Sequence, residues 1–128
     1  MMVAFLAVFL FGCNEERLPG GELTKVSLSI GAEFGQINTD FMVIYEDEES
    51  LDLFQQAIST AVKNEGVVDM ASPEYDLQVV DTAGNKYGYH LWLGENGQSS
   101  VLMNTKDTHT IYTISKDYTE ALIALVRQ

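Results

Sequence analysis

Apolar and polar side chains alternate in several short runs of this chain, and this pattern limits the architectures open to it. Val26, Leu28 and Ile30 alternate with polar neighbours, which is the period of a half-buried strand. The same period returns over residues 75–79 and 87–93, with turn residues between these two runs at 81–85. Apolar runs at 41–45, 101–103 and 111–114 complete a predicted set of about six strands. The unbroken run at 41–45 predicts a strand inside the sheet.

Two stretches carry apolar residues at helical spacing. The first predicts a helix that begins near Asp47, Glu48 and Glu49 and ends at Gly66, with an apolar stripe of Leu51, Phe54, Ile58, Ala61 and Val62. Carboxylates at a helix N-terminus are favourable in themselves, so the acidic run at 46–49 predicts a helix start and not a calcium loop. In the second, Asp117 and Glu120 resemble a capping box ahead of a stripe of Leu122, Leu125 and Val126.

The order of these elements is ββαββββα. An antiparallel sheet with both helices on one face is the simplest arrangement that buries both stripes. The sequence therefore predicts an α+β fold. No internal repeat or low-complexity segment interrupts the predicted elements.

The charge balance argues against nucleic-acid binding. Seven Lys and Arg stand against 19 Asp and Glu, for a formal charge of −12 in 128 residues. Nucleic-acid binding depends on clusters of cationic side chains, and this chain has none. We therefore expect no nucleic-acid partner.

The first 12 residues are almost entirely apolar, and they are too few to span a bilayer as a helix, which takes about 20 residues. They fit the apolar region of an export signal. Leu10 stands three positions and Gly12 one position before Cys13, a spacing that resembles the bacterial lipobox. In lipoproteins with that motif, the Cys thiol carries diacylglycerol and begins the mature chain. Phe11 departs from the usual small residue, and no basic residue precedes the apolar run.

The lipobox resemblance divides the chain into three parts: a signal peptide at 1–12, a lipidated Cys13 with a polar tether at 13–23, and a single domain at 24–128. It implies a membrane partner through lipid on Cys13 and a location on the extracytoplasmic face of the cell membrane. Cys13 is the only cysteine, so the domain has no disulfide to stabilise it. An ordinary export signal or a buried strand with a chance cysteine is the alternative.

A longer resemblance covers roughly residues 24–127. Tyr89, Leu91, Trp92 and Leu93 are followed by Thr110, Ile111, Tyr112, Ile114 and Ser115, and then by Leu122 in the last helix. This pattern, with the strand at 75–80 before it, resembles the YhfM-like domain of small bacillus-type lipoproteins. The resemblance implies an extracytoplasmic lipoprotein of uncharacterised function, and no catalytic residues come with it.

The sequence offers little for catalysis. His90 and His109 are its only histidines, and neither has a second histidine or cysteine at metal-ligand spacing, so we expect no metal or other cofactor. Phosphate-loop and nucleophile-elbow motifs are also missing. We interpret Asp69, Glu74, Asp76 and Asp81 as solvated side chains on strand edges and turns. We expect the His90 imidazole on the less buried face of the sheet.

Aromatic side chains suggest binding instead. Tyr87 and Tyr89 share a face with Leu91 and are expected in the core, whereas Trp92 and His90 share the opposite face. Trp92 and His90 are therefore the predicted binding residues, for an envelope protein, a peptide or a cell-wall fragment. The hypothesis is a non-catalytic, lipid-anchored binding domain at the cell envelope. The alternative is an envelope enzyme with a dispersed active site, in which His90 or His109 meets a carboxylate.

Overall fold

The computed structural model describes residues 21–64 and 70–127. Its elements are, in chain order, β1 (Leu23–Ile30), β2 (Val43–Tyr45), α1 (Glu48–Ser59), β3 (Val62–Asn64), β4 (Tyr75–Asp81), β5 (Lys86–Trp92), β6 (Ser100–Asn104), β7 (Ile111–Ile114) and α2 (Lys116–Val126). The predicted signal peptide, Cys13 and most of the tether lie outside the described residues. None of the described helices is long and apolar enough to cross a membrane.

The strands form one antiparallel sheet of seven strands in the order β2-β1-β4-β5-β6-β7-β3. With two helices, this confirms the predicted α+β fold. The additional strand is β3, which pairs with β7 in a region that the sequence assigned to the first helix.

Both helices bury their apolar stripes in the same core as one face of the sheet. Phe54 and Ile58 of α1 and Leu122 of α2 are each 1% exposed, and they belong to the core cluster that includes Leu28, Leu77, Tyr89, Leu91 and Leu102. Tyr89 contributes its full side chain to this core, as predicted, and Tyr87 packs against it. Burial raises the pKa of the Tyr89 phenol, so this group stays protonated at any ordinary pH.

The helix boundaries differ from the sequence prediction in two places. Helix α1 begins as predicted, because the Asp47 carboxylate accepts a hydrogen bond from the Ser50 amide at 3.0 Å. It ends at Ser59, before Ala61 and Val62, and the predicted stop at Gly66 lies outside the described residues. The N-cap of α2 is Ser115, whose hydroxyl accepts from the Tyr118 amide at 3.2 Å. Asp117 therefore lies in the first turn and is not the cap.

The position predicted for the run at 41–45 was wrong. Strand β2 covers only Val43–Tyr45, and it lies at one end of the strand order, paired with β1. Its apolar side chains lie in two different environments. Tyr45 turns inward onto Phe54, with ring centroids 5.3 Å apart, while Ile44 stays 52% exposed on the opposite face.

Candidate functional site

Four side chains lie in one row across the face of the sheet opposite the helices. The strand register places Ser29 of β1 beside Asp76 of β4, Asp76 beside His90 of β5, and His90 beside Met103 of β6. All four are buried. A carboxylate and an imidazole removed from water in this way must find partners within the protein.

His90 and Asp76 form a direct pair. The His90 Nδ1 atom lies 2.8 Å from Asp76 Oδ1, and both side chains are fully buried. The Gly35 amide donates a hydrogen bond to the other ring nitrogen, Nε2, at 3.0 Å. Because a backbone N–H can only donate, Nε2 must be the acceptor, and the ring proton must lie on Nδ1. The geometry therefore assigns a neutral imidazole whose Nδ1–H donates to the carboxylate.

Residues 31–40, the covering loop, enclose this pair. The Asn38 amide donates to Asp76 Oδ2 at 2.9 Å, so both oxygens of the carboxylate are engaged. The Ser29 hydroxyl donates to the Asn38 carbonyl at 2.6 Å. The Asn38 side chain closes the loop on itself, since its amide donates to the Ile30 carbonyl and its oxygen accepts from the Asp40 amide. The loop is thus held to the sheet by the same polar row that it covers.

Aromatic rings surround the imidazole. Phe34 of the covering loop meets the His90 ring edge to face, with centroids 5.8 Å apart, and lies 6.1 Å from the Trp92 ring. Phe34 remains 44% exposed, whereas Trp92 is half-buried. The Trp92 indole N–H donates to the Ala71 and Ser72 carbonyls, each at 3.1 Å.

The expected position of the His90 imidazole requires a correction. His90 and Trp92 do lie on the helix-free face, but the His90 side chain is 0% exposed because the covering loop lies over it. No sequence pattern predicts a role for residues 31–40, which lie between two predicted strands. Whether Trp92 and His90 bind a partner stays a prediction.

The two histidines have different surroundings. His109 is exposed in the segment between β6 and β7, where its backbone amide donates to Asp107 Oδ1 at 3.2 Å. Of the two imidazoles named for the enzyme alternative, only that of His90 has a carboxylate within hydrogen-bond distance in the described residues.

The interpretation of the acidic residues as solvated was wrong for two of them. Asp76 is fully buried, and Asp81 is 6% exposed. Burial acts to raise the pKa of Asp81, but hydrogen bonds from Asn85, Tyr87 and Ala83 outweigh it, and the pKa lies below its ordinary value. Glu74 is half-buried and pairs with Arg127 at 2.6 Å, and Asp69 lies outside the described residues.

The row has the residue types of a hydrolytic triad in a different order. In a Ser-His-Asp triad the imidazole stands between the hydroxyl and the carboxylate. Here the carboxylate of Asp76 stands in the middle, and the Ser29 hydroxyl is bonded to a carbonyl of the covering loop. The free lone pair that a general base needs is used by Gly35. In this conformation the row holds the loop and has no accessible base.

The described residues contain no group of three or more His, Cys, Asp or Glu that could hold a metal ion. The sequence signal that could have identified the covering loop is its length, because the segment between the two predicted strands is far longer than a tight hairpin uses. Nothing local marks Asp76 as buried, since its partners come from β5 and from the loop.

The two ends of the sheet differ in character. At the end where β1 begins, Gln55 of α1 accepts from the Leu23 amide and donates to the Gly21 carbonyl, each at 3.0 Å. At the end where β1 and β5 finish lie Ile30, Phe34 and Trp92, which we call the aromatic end. Ile30 is 57% exposed. The described chain therefore begins at one end of the sheet and presents its aromatic side chains at the other.

Comparison with known proteins supports the fold and the family. The chain shares its fold with the solved structure of a thioesterase-like protein from Clostridium sporogenes ATCC 15579, with a TM-score of 0.65 and 18% sequence identity. The match covers 81% of this chain and 94% of that one. No curated protein matches the chain significantly. The family model described as YhfM protein matches residues 34–128, which include most of the covering loop and every element from β2 onward. The chain belongs to the YhfM protein family.

Proposed function

We propose that this protein is a lipid-anchored binding domain on the extracytoplasmic face of the cell membrane, and that it acts without catalysis. The anchor is Cys13, and the ligand is another envelope protein or a peptide. Support for the anchor comes from the apolar run at 1–12 and from the spacing of Leu10 and Gly12 before Cys13.

The main support for a binding role is the placement of the anchor and the aromatic end at opposite ends of the sheet. Gly21 follows Cys13 closely in sequence, so the anchor would enter at the end of the sheet where β1 begins. Strand β1 has 8 residues, which span roughly 26 Å at about 3.3 Å each. The aromatic end would then face away from the membrane. Partly exposed Phe34 and Ile30 are the kind of side chains around which interfaces form.

The charge of the chain favours a domain that stands clear of the membrane. A formal charge of −12 opposes close contact with an anionic membrane surface. The same charge disfavours nucleic acid as the partner. A protein or peptide ligand therefore remains the preferred class.

The anchor is tested by expressing the full precursor and measuring the mass of the mature N-terminus. We expect a chain that begins at Cys13 and carries diacylglycerol. A Cys13→Ser variant should lose the lipid and no longer fractionate with membranes. An unmodified Cys13, or cleavage at another position, would contradict the anchor.

The binding site is tested by photo-crosslinking in intact cells. A photoreactive residue in place of Phe34 should capture a defined partner. The matched control replaces Val62, which is 65% exposed on β3 and lies outside the aromatic end. Equal capture from both positions, or capture from neither, would contradict a binding role for the aromatic end.

A second candidate is an enzyme that uses the His90–Asp76 pair, and the 2.8 Å contact between these residues favours it. An oriented imidazole is a general base once its Nε2 is free, which here requires the covering loop to open. Because the solved neighbour is described as thioesterase-like, an acyl thioester is the natural probe. Turnover that is lost in His90→Gln and kept in His109→Gln would support the enzyme. The binding proposal predicts no turnover that depends on His90.

A further inference from the structure

The hydrogen bonds around His90 connect the protonation state of one side chain to the position of a whole loop. The covering loop is held over the helix-free face by two backbone amides, Gly35 on the imidazole and Asn38 on the Asp76 carboxylate. The contact from Gly35 exists only while His90 Nε2 carries a lone pair. A protonated Nε2 has no lone pair left and cannot accept this hydrogen bond.

We propose that the covering loop is a proton-operated lid: protonation of His90 releases residues 32–36, the part of the loop that carries Phe34 and Gly35, and uncovers the His90 and Trp92 rings. In the step itself, Nε2 accepts a proton from hydronium, which leaves as water, and an N–H bond forms. Two donors, the new Nε2–H and the Gly35 N–H, would then face each other where one hydrogen bond stood. The loop must move to give both donors new acceptors, and water is the available one.

The surroundings of His90 decide which contact gives way. Asp76 of β4 is the charged group in contact with the ring, and the imidazolium would keep it as a partner through Nδ1. From β6 the neighbour is Met103, which is neutral, and the covering loop contributes Phe34 and Gly35, neither of which titrates. Ser29 of β1 lies on the far side of Asp76. Protonation thus strengthens the attraction between His90 and Asp76 and breaks the Gly35 contact, while the Asn38 amide keeps its bond to Asp76.

The structure of the covering loop allows it to move away from the sheet without unfolding the strands. It has no strand or helix of its own, and residues 32–36 and 39–40 are exposed. Gly31 and Asn38 hold its two ends, through the Glu74 and Ile30 carbonyls and through Asp76 and Ser29. Between them, residues 32–36 are joined to the sheet through the Gly35 bond to His90. Segments with few buried apolar contacts open at lower free energy than the core. The seven-stranded sheet can therefore stay folded while residues 32–36 leave it.

Opening would change what the aromatic end presents. Phe34 packs against both His90 and Trp92 in the closed state, so its departure exposes the faces of both rings. The effect of this change on a partner rests on the proposed function. The movement of the loop does not, because it is measured without a partner.

The experiment compares the full chain in detergent micelles at about pH 7.5 and about pH 5, a range in which histidine commonly titrates. Nitrogen-15 shifts of the imidazole report the protonation of His90, and amide hydrogen exchange reports the protection of Gly35 and Asn38 after correction for intrinsic rates. We expect the protection of Gly35 to fall about tenfold or more as His90 gains its proton. Amides of β4 and β5 should keep their protection.

The two histidines supply matched variants. In His90→Gln, the side-chain amide offers one donor to Asp76 and one acceptor to Gly35, as the neutral imidazole does, but it does not titrate. Its loop should stay protected at both pH values. His109→Gln should behave as the wild type, since His109 lies in another exposed segment.

Three results would overturn the proposal. The first is a His90 that becomes protonated while Gly35 stays protected. The second is a His90→Gln variant whose loop opens in acid as the wild type does. The third is a His90 ring that stays neutral until the whole domain unfolds. Should His90→Gln fail to fold, the first and third results, both obtained on the wild type, still decide the matter. Loop opening in acid together with no partner captured at Phe34 would support the lid and contradict the proposed function, so the two proposals fail separately.

Discussion

At the scale of single residues, the buried side-chain nitrogen and oxygen atoms of the described residues have hydrogen-bond partners with one exception. The hydroxyl of Tyr112 is buried and has no hydrogen-bond partner within the described part of the chain. The hydroxyl of Tyr87, in contrast, donates to Asp81 Oδ2 at 3.1 Å. A buried polar atom without a partner costs stability, whereas a hydrogen bond to a carboxylate contributes to it.

Tyr112→Phe is therefore expected to leave the free energy of unfolding unchanged or to raise it by up to about 1 kcal/mol. Tyr87→Phe is the matched control and should lower it by about 1 kcal/mol, because it removes a hydrogen bond. Urea unfolding of the two variants and the wild type measures both values. A clear loss of stability in Tyr112→Phe would show that its hydroxyl has a partner in the folded protein.

Asp81 gives a pH-dependent prediction at the same scale. Its pKa is lowered in the folded protein, so its contribution to stability is fully present above the ordinary pKa of about 3.9 and is lost as the pH falls through the lowered value. Asp81→Asn keeps one acceptor oxygen and removes the charge. Denaturant unfolding from about pH 6 to about pH 2 should show a stability gap between wild type and variant that closes in acid. A gap that stays constant over this range would contradict the prediction.

At the scale of elements, the covering loop is the least predictable part of the fold. Local turn residues explain where it begins, but its path over the sheet depends on what lies beneath it. Gly88 of β5 is one reason why it can lie so close. A Cβ atom at this position would lie 2.9 Å from Ile37 Cγ1 and 2.9 Å from Thr105 Oγ1.

Gly88→Ala should therefore push the loop away from the sheet. We expect a loss of about 1–3 kcal/mol in the free energy of unfolding, as for other overpacked sites, together with faster amide exchange at Gly35 and Asn38. Gly97→Ala serves as the control, because Gly97 has a φ of +88° and nothing lies within 4 Å of its Cβ position. It should cost about 1 kcal/mol through backbone strain and leave the loop amides protected. Unchanged exchange at Gly35 in Gly88→Ala would mean that the loop does not need this close approach.

At the scale of the whole molecule, one core holds both helices against the sheet. Phe54 lies in this core at 1% exposure, in contact with Tyr45 of the edge strand. Trp92 is the single tryptophan and lies on the other face of the sheet, so its fluorescence measures unfolding on that face. If the described parts unfold as one unit, a destabilising substitution at Phe54 must also shift the unfolding midpoint that Trp92 fluorescence measures.

Phe54→Ala should lower the free energy of unfolding by roughly 3–5 kcal/mol, since it leaves a cavity in the core. Trp92 fluorescence and far-ultraviolet circular dichroism should report the same shifted midpoint. Val62→Ala is the control and should stay within about 0.5 kcal/mol of the wild type, because Val62 is 65% exposed. Separate midpoints for the two probes would indicate that the faces of the sheet unfold independently.

Periodicity and turn chemistry in the sequence determined most elements and their order, because these signals depend on residues a few positions apart. The strands at 23–30, 75–81, 86–92, 100–104 and 111–114 and the Asp47 cap were all predictable on this basis. Only the tertiary structure decided the edge position of β2, the extra strand β3, and the row of Ser29, Asp76 and His90. The register of paired strands and the path of a long loop depend on contacts between residues far apart in sequence. The buried imidazole that holds the covering loop is a product of those contacts, and no local pattern specifies it.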